Sequence, residues 1–394
     1  MLGTEASEEA ARLATGSGEF DRVLGGGLVA GSVVLLGGDP GIGKSTLLLQ
    51  SAAALSRAAP VLYATGEESL KQVGLRARRL GVGDAPLALL AAADVESVIA
   101  TAEAAAARVL VIDSIQTMAS AEVEASAGSV SQLRESAARF IAFAKRTGTA
   151  VVLIGHVTKE GVIAGPRVLE HLVDTVLYFE SDAGSRFRIV RAIKNRFGAA
   201  NEIGVFAMGE HGLKEIRNPS AIFLSRHEQP VAGSVVTVTR EGSRPMLIEV
   251  QSLVDESKAQ LPRRVAVGFD SNRLALLLAV LHRHGGVGLA AHDVFVNVVG
   301  GVRVEETAGD LAVVLAAVSS LDGRPLPQEL VVFGELGLAG EIRPVPFGEE
   351  RLREAAKHGF KTAIVPRANA PRAAPGGLEV RAVSRLDEAL AARG

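Results

Sequence analysis

The residues whose types and spacing carry the most specific chemistry are Gly38, Asp39, Pro40, Gly41, Ile42, Gly43, Lys44 and Ser45, which fit GxxxxGK[ST] in full. A loop of this kind binds phosphates. Its glycines let backbone N–H groups turn inward where side chains would collide, and the helix behind it adds unpaired donors and positive dipole potential. Pro40 stiffens the turn. Lys44 is expected to reach the β- and γ-phosphates of ATP and the Ser45 hydroxyl to ligate Mg2+, with Thr46 completing the phosphate-contacting set. A chance glycine turn would lack the apolar run at 32–37 before the loop and the helical stretch at 45–55 after it.

Asp113 ends the apolar run 108–113, the place for an acidic group that holds Mg2+, usually through water; a plain strand-ending Asp is the blander alternative. Glu67 and Glu68 follow the run 61–65. One of them would orient or deprotonate the attacking water; Glu67 is favoured, with Glu68 as a helix charge or support and Ser69 as the cap. His156 ends the run 150–155 and precedes a glycine-containing stretch with basic ends, 159–167. It would sense the γ-phosphate and pass the signal to that stretch, or be an ordinary strand-end histidine.

These groups need a scaffold. Over roughly the first 215 residues, β-branched runs alternate with Ala-rich helical stretches at 70–80, 95–107 and 130–146, the pattern of a βαβ sheet. After residue 175 strands dominate and are expected to extend that sheet at one side. The Pro-, Arg- and Glu-containing stretch 217–233 reads as a linker, giving an N-terminal extension 1–14, an ATPase domain 15–216 and a second domain 234–394. Strands at 234–240, 246–253 and 293–299 and helices at 272–284, 309–321 and 349–358 mix there without strict alternation, which indicates α+β. The formal charge of −2 requires any nucleic-acid role to rest on local basic surface. No apolar run approaches the ~18 residues of a membrane span and no secretory signal opens the chain, so a cytoplasmic protein without a membrane partner is expected.

The segment TGSGEFDRVLGGGLVAGSVVLLGGDPGIGKSTLLLQ, with ATGEES, VIDSIQT, GHVTKEG and KNRFG further on, closely resembles the RadA (Sms) family of bacterial DNA-repair proteins. The resemblance runs from about Thr15 to the end. It implies a RecA-like P-loop ATPase core followed by a Lon-protease-like α+β domain. It also implies a ring, typically a hexamer, that loads on single-stranded DNA and uses ATP with Mg2+ to drive branch migration of recombination intermediates alongside RecA. By similarity, Lys194 and Arg196 of KNRFG reach the ATP of the neighbouring subunit or couple it to DNA, a cation arriving in trans to offset charge on the transferring phosphoryl group. A solvated basic strand is the alternative, since Arg186, Arg188 and Arg191 lie nearby. Lys159 and Arg167 are further candidate DNA contacts, and 119–129 is a second candidate loop. The family usually opens with a four-cysteine zinc finger. With no Cys here, no zinc is expected in this chain, which fits either a shortened chain or a protein that lacks the finger.

The stretch 266–367 is similar to the Lon peptidase fold, most plainly at GRPLPQELVVFGELGLAGEIRPVP. Counting from its glycines, the Lon serine position falls on Ala308 and the lysine position on Glu349. Neither supplies the Ser–Lys chemistry, so peptidase activity is not expected. The domain is read instead as an assembly and DNA-binding platform, with Arg263, Arg264, Arg273, His282, Arg283 and His284 as possible basic surface. The aromatic content of 4% without Trp favours backbone tracking over base stacking. A nucleotide-switched assembly protein with slow turnover is the second reading; an ATP-dependent protease is the third.

Overall fold

The computed structural model describes residues 12–156, 168–181, 186–220, 224, 229–258 and 261–393; Lys159 and Arg167 lie outside them. The chain divides into two compact units, Met1–Arg217 and Asn218–Gly394.

In the first unit, β1 (Arg12–Leu13), α1 (Gly18–Leu24) and β2 (Leu28–Val29) form a small antiparallel cap. The main sheet follows with β3 (Val33–Gly38), β4 (Val61–Thr65), β5 (Ala88–Ala91), β6 (Val109–Asp113), β7 (Ala150–His156), β8 (Thr175–Glu180), β9 (Phe187–Asn195), β10 (Ile203–Gly209) and β11 (Gly212–Glu215). Its order is β11-β10-β9-β8-β3-β7-β6-β4-β5, parallel from β8 to β5 and antiparallel from β8 outward to β11. The late strands therefore extend one side of a parallel sheet, as expected. Helices α2 (Lys44–Leu55), α3 (Leu70–Arg79), α4 (Val95–Ala104) and α5 (Val130–Thr147) connect the parallel strands.

Both faces of the central strands β3, β4, β6 and β7 are buried, which explains why they read as unbroken apolar runs. Leu36, Tyr63, Val111 and Val152 pack with Leu48 of α2 on one face. Their strand neighbours Leu35, Leu62, Ile112 and Leu153 pack with Val98 of α4 and Phe140 of α5 on the other. Ser69 caps α3 in a reciprocal capping box with Gln72. The helix expected to reach residue 107 stops at Ala104, because Ala106 takes φ 46° and the Ala107 amide folds back onto the Ala102 carbonyl.

The second unit is α+β. Its seven-stranded sheet runs β14 (Arg264–Val267), β15 (His292–Val298), β13 (Arg244–Glu256), β12 (Ser234–Glu241), β16 (Leu330–Val332), β19 (Thr362–Pro366) and β20 (Glu379–Val383); β17 (Glu335–Leu336) and β18 (Ile342–Arg343) pair separately. Helices α6 (Ser271–Gly285), α7 (Asp310–Asp322), α8 (Gly348–Lys357) and α9 (Leu386–Ala392) complete it. Every residue of α7 from Asp310 to Ser319 is buried, so this helix is the centre of the core. Of the stretch 217–233, expected as a linker, Ser220 and Gly233 are tied into this unit: the Leu247 amide donates to Ser220 Oγ at 3.2 Å and the Gly233 amide to Ser319 Oγ at 3.0 Å.

Candidate active site

The carboxyl ends of β3, β7, β6 and β4 stand side by side, with Gly38 opposite His156 and Thr65 opposite Asp113. Ligands of parallel α/β sheets bind at this edge. The phosphate loop, Asp113, Glu67 and His156 are all brought there.

The loop after β3 turns directly into α2. Ile42 is buried and anchors it, while Asp39, Pro40 and Gly41 form an exposed crest. Gly43 has φ 120°, a conformation L side chains rarely adopt, and a Cβ there would lie 2.7 Å from Met208 Cε, so a larger residue would strain the turn into α2. Arg188 Nε donates to the Ile42 carbonyl at 3.1 Å and fastens the loop from β9. Lys44 is only 3% exposed, and its Nζ donates to the carbonyls of Gly38 (2.8 Å) and Asp39 (2.9 Å). Burial lowers it to about 8, although Asp113, Asp39 and Glu67 pull the other way. A lysine held this way can exchange two carbonyls for phosphate oxygens, whose charge would restore its own. Ser45 and Thr46 are half-buried in the first turn of α2.

Asp113 is 5% exposed. Tyr63 donates its hydroxyl to Asp113 Oδ2 at 2.5 Å, and Ser45 stands beside the carboxyl. Burial raises the Asp113 pKa, Tyr63 and Ser45 oppose that, and the Glu67 charge adds to it. Burial and the adjoining carboxylate hold Tyr63 well above the ordinary phenol value, so it stays a donor. A hydroxyl and a carboxylate joined beside a phosphate loop form a hard-oxygen donor set that fits Mg2+ carried by a nucleotide. Among the described residues, no group of three or more acidic or histidine side chains is arranged to hold a metal alone.

The two adjacent carboxylates are separated by their surroundings. The Gly66 amide donates to the Asp113 carbonyl at 3.0 Å, and a Cβ on Gly66 would fall 2.2 Å from Thr117 Oγ1. This close approach of the ends of β4 and β6 sets Glu67 beside Ser114, which donates to Glu67 Oε1. His156 Nε2 stands 3.3 Å from the same oxygen, without hydrogen-bond alignment in this conformation. His156 and Ser114 lower Glu67 to about 2 against the opposing effect of burial, so it is a carboxylate at neutral pH. Glu68 turns away and pairs with Arg76. Gln116 Nε2 donates to the His156 carbonyl at 3.1 Å, tying the ends of β6 and β7 together.

Lys194 and Arg196 lie elsewhere. Lys194 pairs with Val176, near the start of β8, and Thr175 is level with Val34 at the start of β3. Through Val176, Lys194 is level with Leu35, three residues or about 10 Å at roughly 3.3 Å per residue before Gly38, where the phosphate loop of the same chain begins, and two strands to the side of β3. The Lys194 amine donates to the carbonyls of Glu170 (2.9 Å) and Val173 (2.8 Å), and Arg196 pairs with the buried Asp174 at 2.9 Å while remaining 56% exposed.

Two other expectations meet the geometry less well. The segment 119–129 is closed on itself: the Gln132 amide donates to the carbonyls of Ser120, Val123 and Ala125, and Glu122 pairs with Arg139. The basic surface of the second unit is largely consumed internally. Arg263 pairs with Asp293, Arg264 donates to the carbonyls of Leu289 and His292, and Arg273 pairs with the fully buried Asp310. His284 Nε2 lies 3.1 Å from the Leu338 carbonyl, leaving His282 and Arg283 as exposed candidates. At the Lon-like positions, Ala308 is buried and Glu349 is a solvent-exposed partner of Arg353. The role of Tyr63 has no counterpart in the sequence reading, because an aromatic residue within VLYAT reads as core.

Comparison with known proteins agrees with this architecture. Residues 5–162 match the AAA domain family, and residues 266–369 match the family described as subunit ChlI of Mg-chelatase. The DNA repair protein RadA of Pseudomonas aeruginosa is 62% identical over 383 residues, covering 97% of this chain and 84% of that protein. RadA of Escherichia coli is 59% identical over 97% of this chain and 83% of its own length. For RadA of Bacillus subtilis the identity is 50%, over 98% of this chain and 84% of that protein. With that identity sustained through both units, the chain belongs to the RadA family of DNA repair proteins.

Proposed function

We propose that the chain is a DNA-dependent ATPase of DNA repair and homologous recombination. It works as a homo-oligomeric ring, a hexamer by family resemblance, that moves on single-stranded DNA and drives branch migration together with RecA. The observation that carries this reading is the division of the first unit into two edges. The phosphate loop, Asp113, Glu67 and His156 share one edge, while Lys194 and Arg196 lie toward the opposite one, Lys194 level with Leu35 and Arg196 with the start of β3. A cation so placed cannot serve its own nucleotide, which supports a contact in trans.

At the first edge, Lys44 gives up its carbonyl partners and holds the β- and γ-phosphates, within reach of the backbone donors of Gly38–Thr46. Ser45 and Asp113 would hold the metal. The metal would supply positive charge that offsets the phosphate oxygens. Glu67, kept ionised by His156 and Ser114, orients the attacking water and accepts its proton. His156, touching Glu67 and ending β7, senses the γ-phosphate for the following segment, where Lys159 and Arg167 are DNA contacts. No helix among the described residues is long and apolar enough to cross a membrane, in keeping with a cytoplasmic site of action.

Mass measurement with ATP and an oligonucleotide tests the ring, and phosphate release with and without single-stranded DNA tests the coupling. A particle that is a monomer under all nucleotide conditions would remove the trans cation and the mechanism with it. The second reading, a nucleotide-switched assembly protein, predicts negligible turnover in both conditions; the ionised Glu67 beside the phosphate loop speaks against it. Proteolysis is opposed by Ala308 and Glu349 at the positions where Lon chemistry needs Ser and Lys.

A further inference from the structure

Tyr63 is fully buried in β4, with 0% of its surface exposed, in the cluster shared with Leu48 of α2 and Val111 of β6. Its in-register neighbour on β6 is Val111, and Thr65 two residues on is opposite Asp113. Side chains two apart on a strand share a face, so Tyr63 and Asp113 project to the same side of adjacent strands. The phenol spans the step between them and ends 2.5 Å from Asp113 Oδ2. A phenylalanine would fill this core equally well, and a buried hydroxyl is tolerated only when it has a partner. The partner here is one oxygen of the buried Asp113 carboxylate beside the phosphate loop.

An aspartate carboxylate can swing about its terminal torsion, which is broad and roughly two-fold. With Oδ2 held by a donor that is itself locked by packing on every side, that freedom is lost, and Oδ1 is the oxygen left for other ligands. We propose that Tyr63 is a positioning residue of the ATPase: its hydroxyl fixes the Asp113 carboxylate so that the free oxygen, together with Ser45, receives the nucleotide's divalent cation. The proposal rests on the nucleotide reading of this edge and adds to it a residue that never touches the nucleotide.

The test is Tyr63→Phe in the full chain, with Mn2+ as the probe. Mn2+ binding in the presence of ADP is followed by electron paramagnetic resonance, ADP binding in EDTA by a fluorescent analogue, and folding by thermal unfolding. Losing one hydrogen bond to a charged group is expected to weaken Mn2+ binding in the ADP complex about tenfold or more. Metal-free ADP affinity stays within about twofold, and the turnover deficit shrinks as Mg2+ is raised. Unchanged Mn2+ affinity with a lowered unfolding midpoint overturns the proposal, since packing alone would then account for Tyr63. If the parent protein binds no Mn2+ that depends on ADP, the nucleotide reading fails first, and the two failures are distinct.

A second measurement needs no variant at Tyr63. The chain has two tyrosines, so 3-fluorotyrosine labelling gives two 19F signals, which Tyr178→Phe assigns. The Tyr63 signal is expected to shift when Mg2+ is added to the ADP complex; a signal that does not move contradicts the coupling.

Discussion

Replacing Glu67 by Gln removes a charge and almost no volume, so it isolates what the carboxylate does. Ser114 can still donate to the amide oxygen, and the close contact of Gly66 with the end of β6 still fixes the side chain's place. Loss of a positioned general base typically costs about 10²–10⁴-fold in rate. Because the orienting contact survives, the expected loss is about 10²–10³-fold, or roughly 2.7–4 kcal/mol of transition-state stabilisation. ATP affinity is expected to hold within about threefold, since the lost charge never contacts the phosphates favourably. The assay is phosphate release at saturating single-stranded DNA, beside equilibrium binding of a fluorescent nucleotide. Glu68→Gln is the matched control: it breaks the pair with Arg76 but leaves the Glu67 surroundings intact, and turnover is expected within about threefold of the parent. Full activity in Glu67→Gln, or an equal loss in Glu68→Gln, would refute the assignment.

Other perturbations separate the remaining parts. Lys44→Ala is expected to abolish nucleotide binding or lower it beyond about 10²-fold by fluorescence titration, because its amine, at the Gly38 and Asp39 carbonyls, is the cation placed to take up phosphate oxygens. Lys194→Ala is expected to spare ATP binding and to lose DNA-coupled movement, read by a branch-migration assay; a normal rate contradicts the trans role. Arg196→Ala should lower turnover only where subunits assemble, so activity plotted against protein concentration loses its upward curvature. Ala308→Ser should yield no casein cleavage, since Glu349 cannot act as the amine base. The Glu67 value lies below the ordinary 4.5, at about 2. Its stabilising contribution is therefore complete above about 4.5 and is lost as the pH falls toward 2. Urea midpoints of the parent and Glu67→Gln should differ at neutral pH and converge over that window.

The phosphate loop was legible because its chemistry is written in contiguous residues, where spacing alone fixes geometry. The same holds for Asp113, which an apolar run delivers to a strand end, and for Ser69, whose capping role needs only Gln72 three residues on. The choice between Glu67 and Glu68 depends on the register of β4 against β6 and on Gly66 packing against Thr117, neither of which is local. Tyr63 was hidden for the same reason: its partner is 50 residues away. The arginines of the second unit looked like surface because Asp293 and Asp310, which neutralise Arg263 and Arg273, lie 30 and 37 residues further along. The segment 218–233 has linker composition, yet Ser220 and Gly233 are hydrogen-bonded into the second unit by β13 and α7. The strands β5, β14 and β20, of four, four and five residues, are too short to show a period before their neighbours are known.

The central claim is that ATP held at the edge formed by Lys44, Asp113 and Glu67 is cleaved in step with a polynucleotide. The most direct measurement is the steady-state rate of phosphate release by the full chain as single-stranded oligonucleotide is titrated in, repeated with Lys44→Ala. The account predicts a clear rise in rate that saturates with oligonucleotide, weakens as salt is raised, and vanishes in the variant. A rate indifferent to oligonucleotide, or one that survives the loss of Lys44, would contradict it.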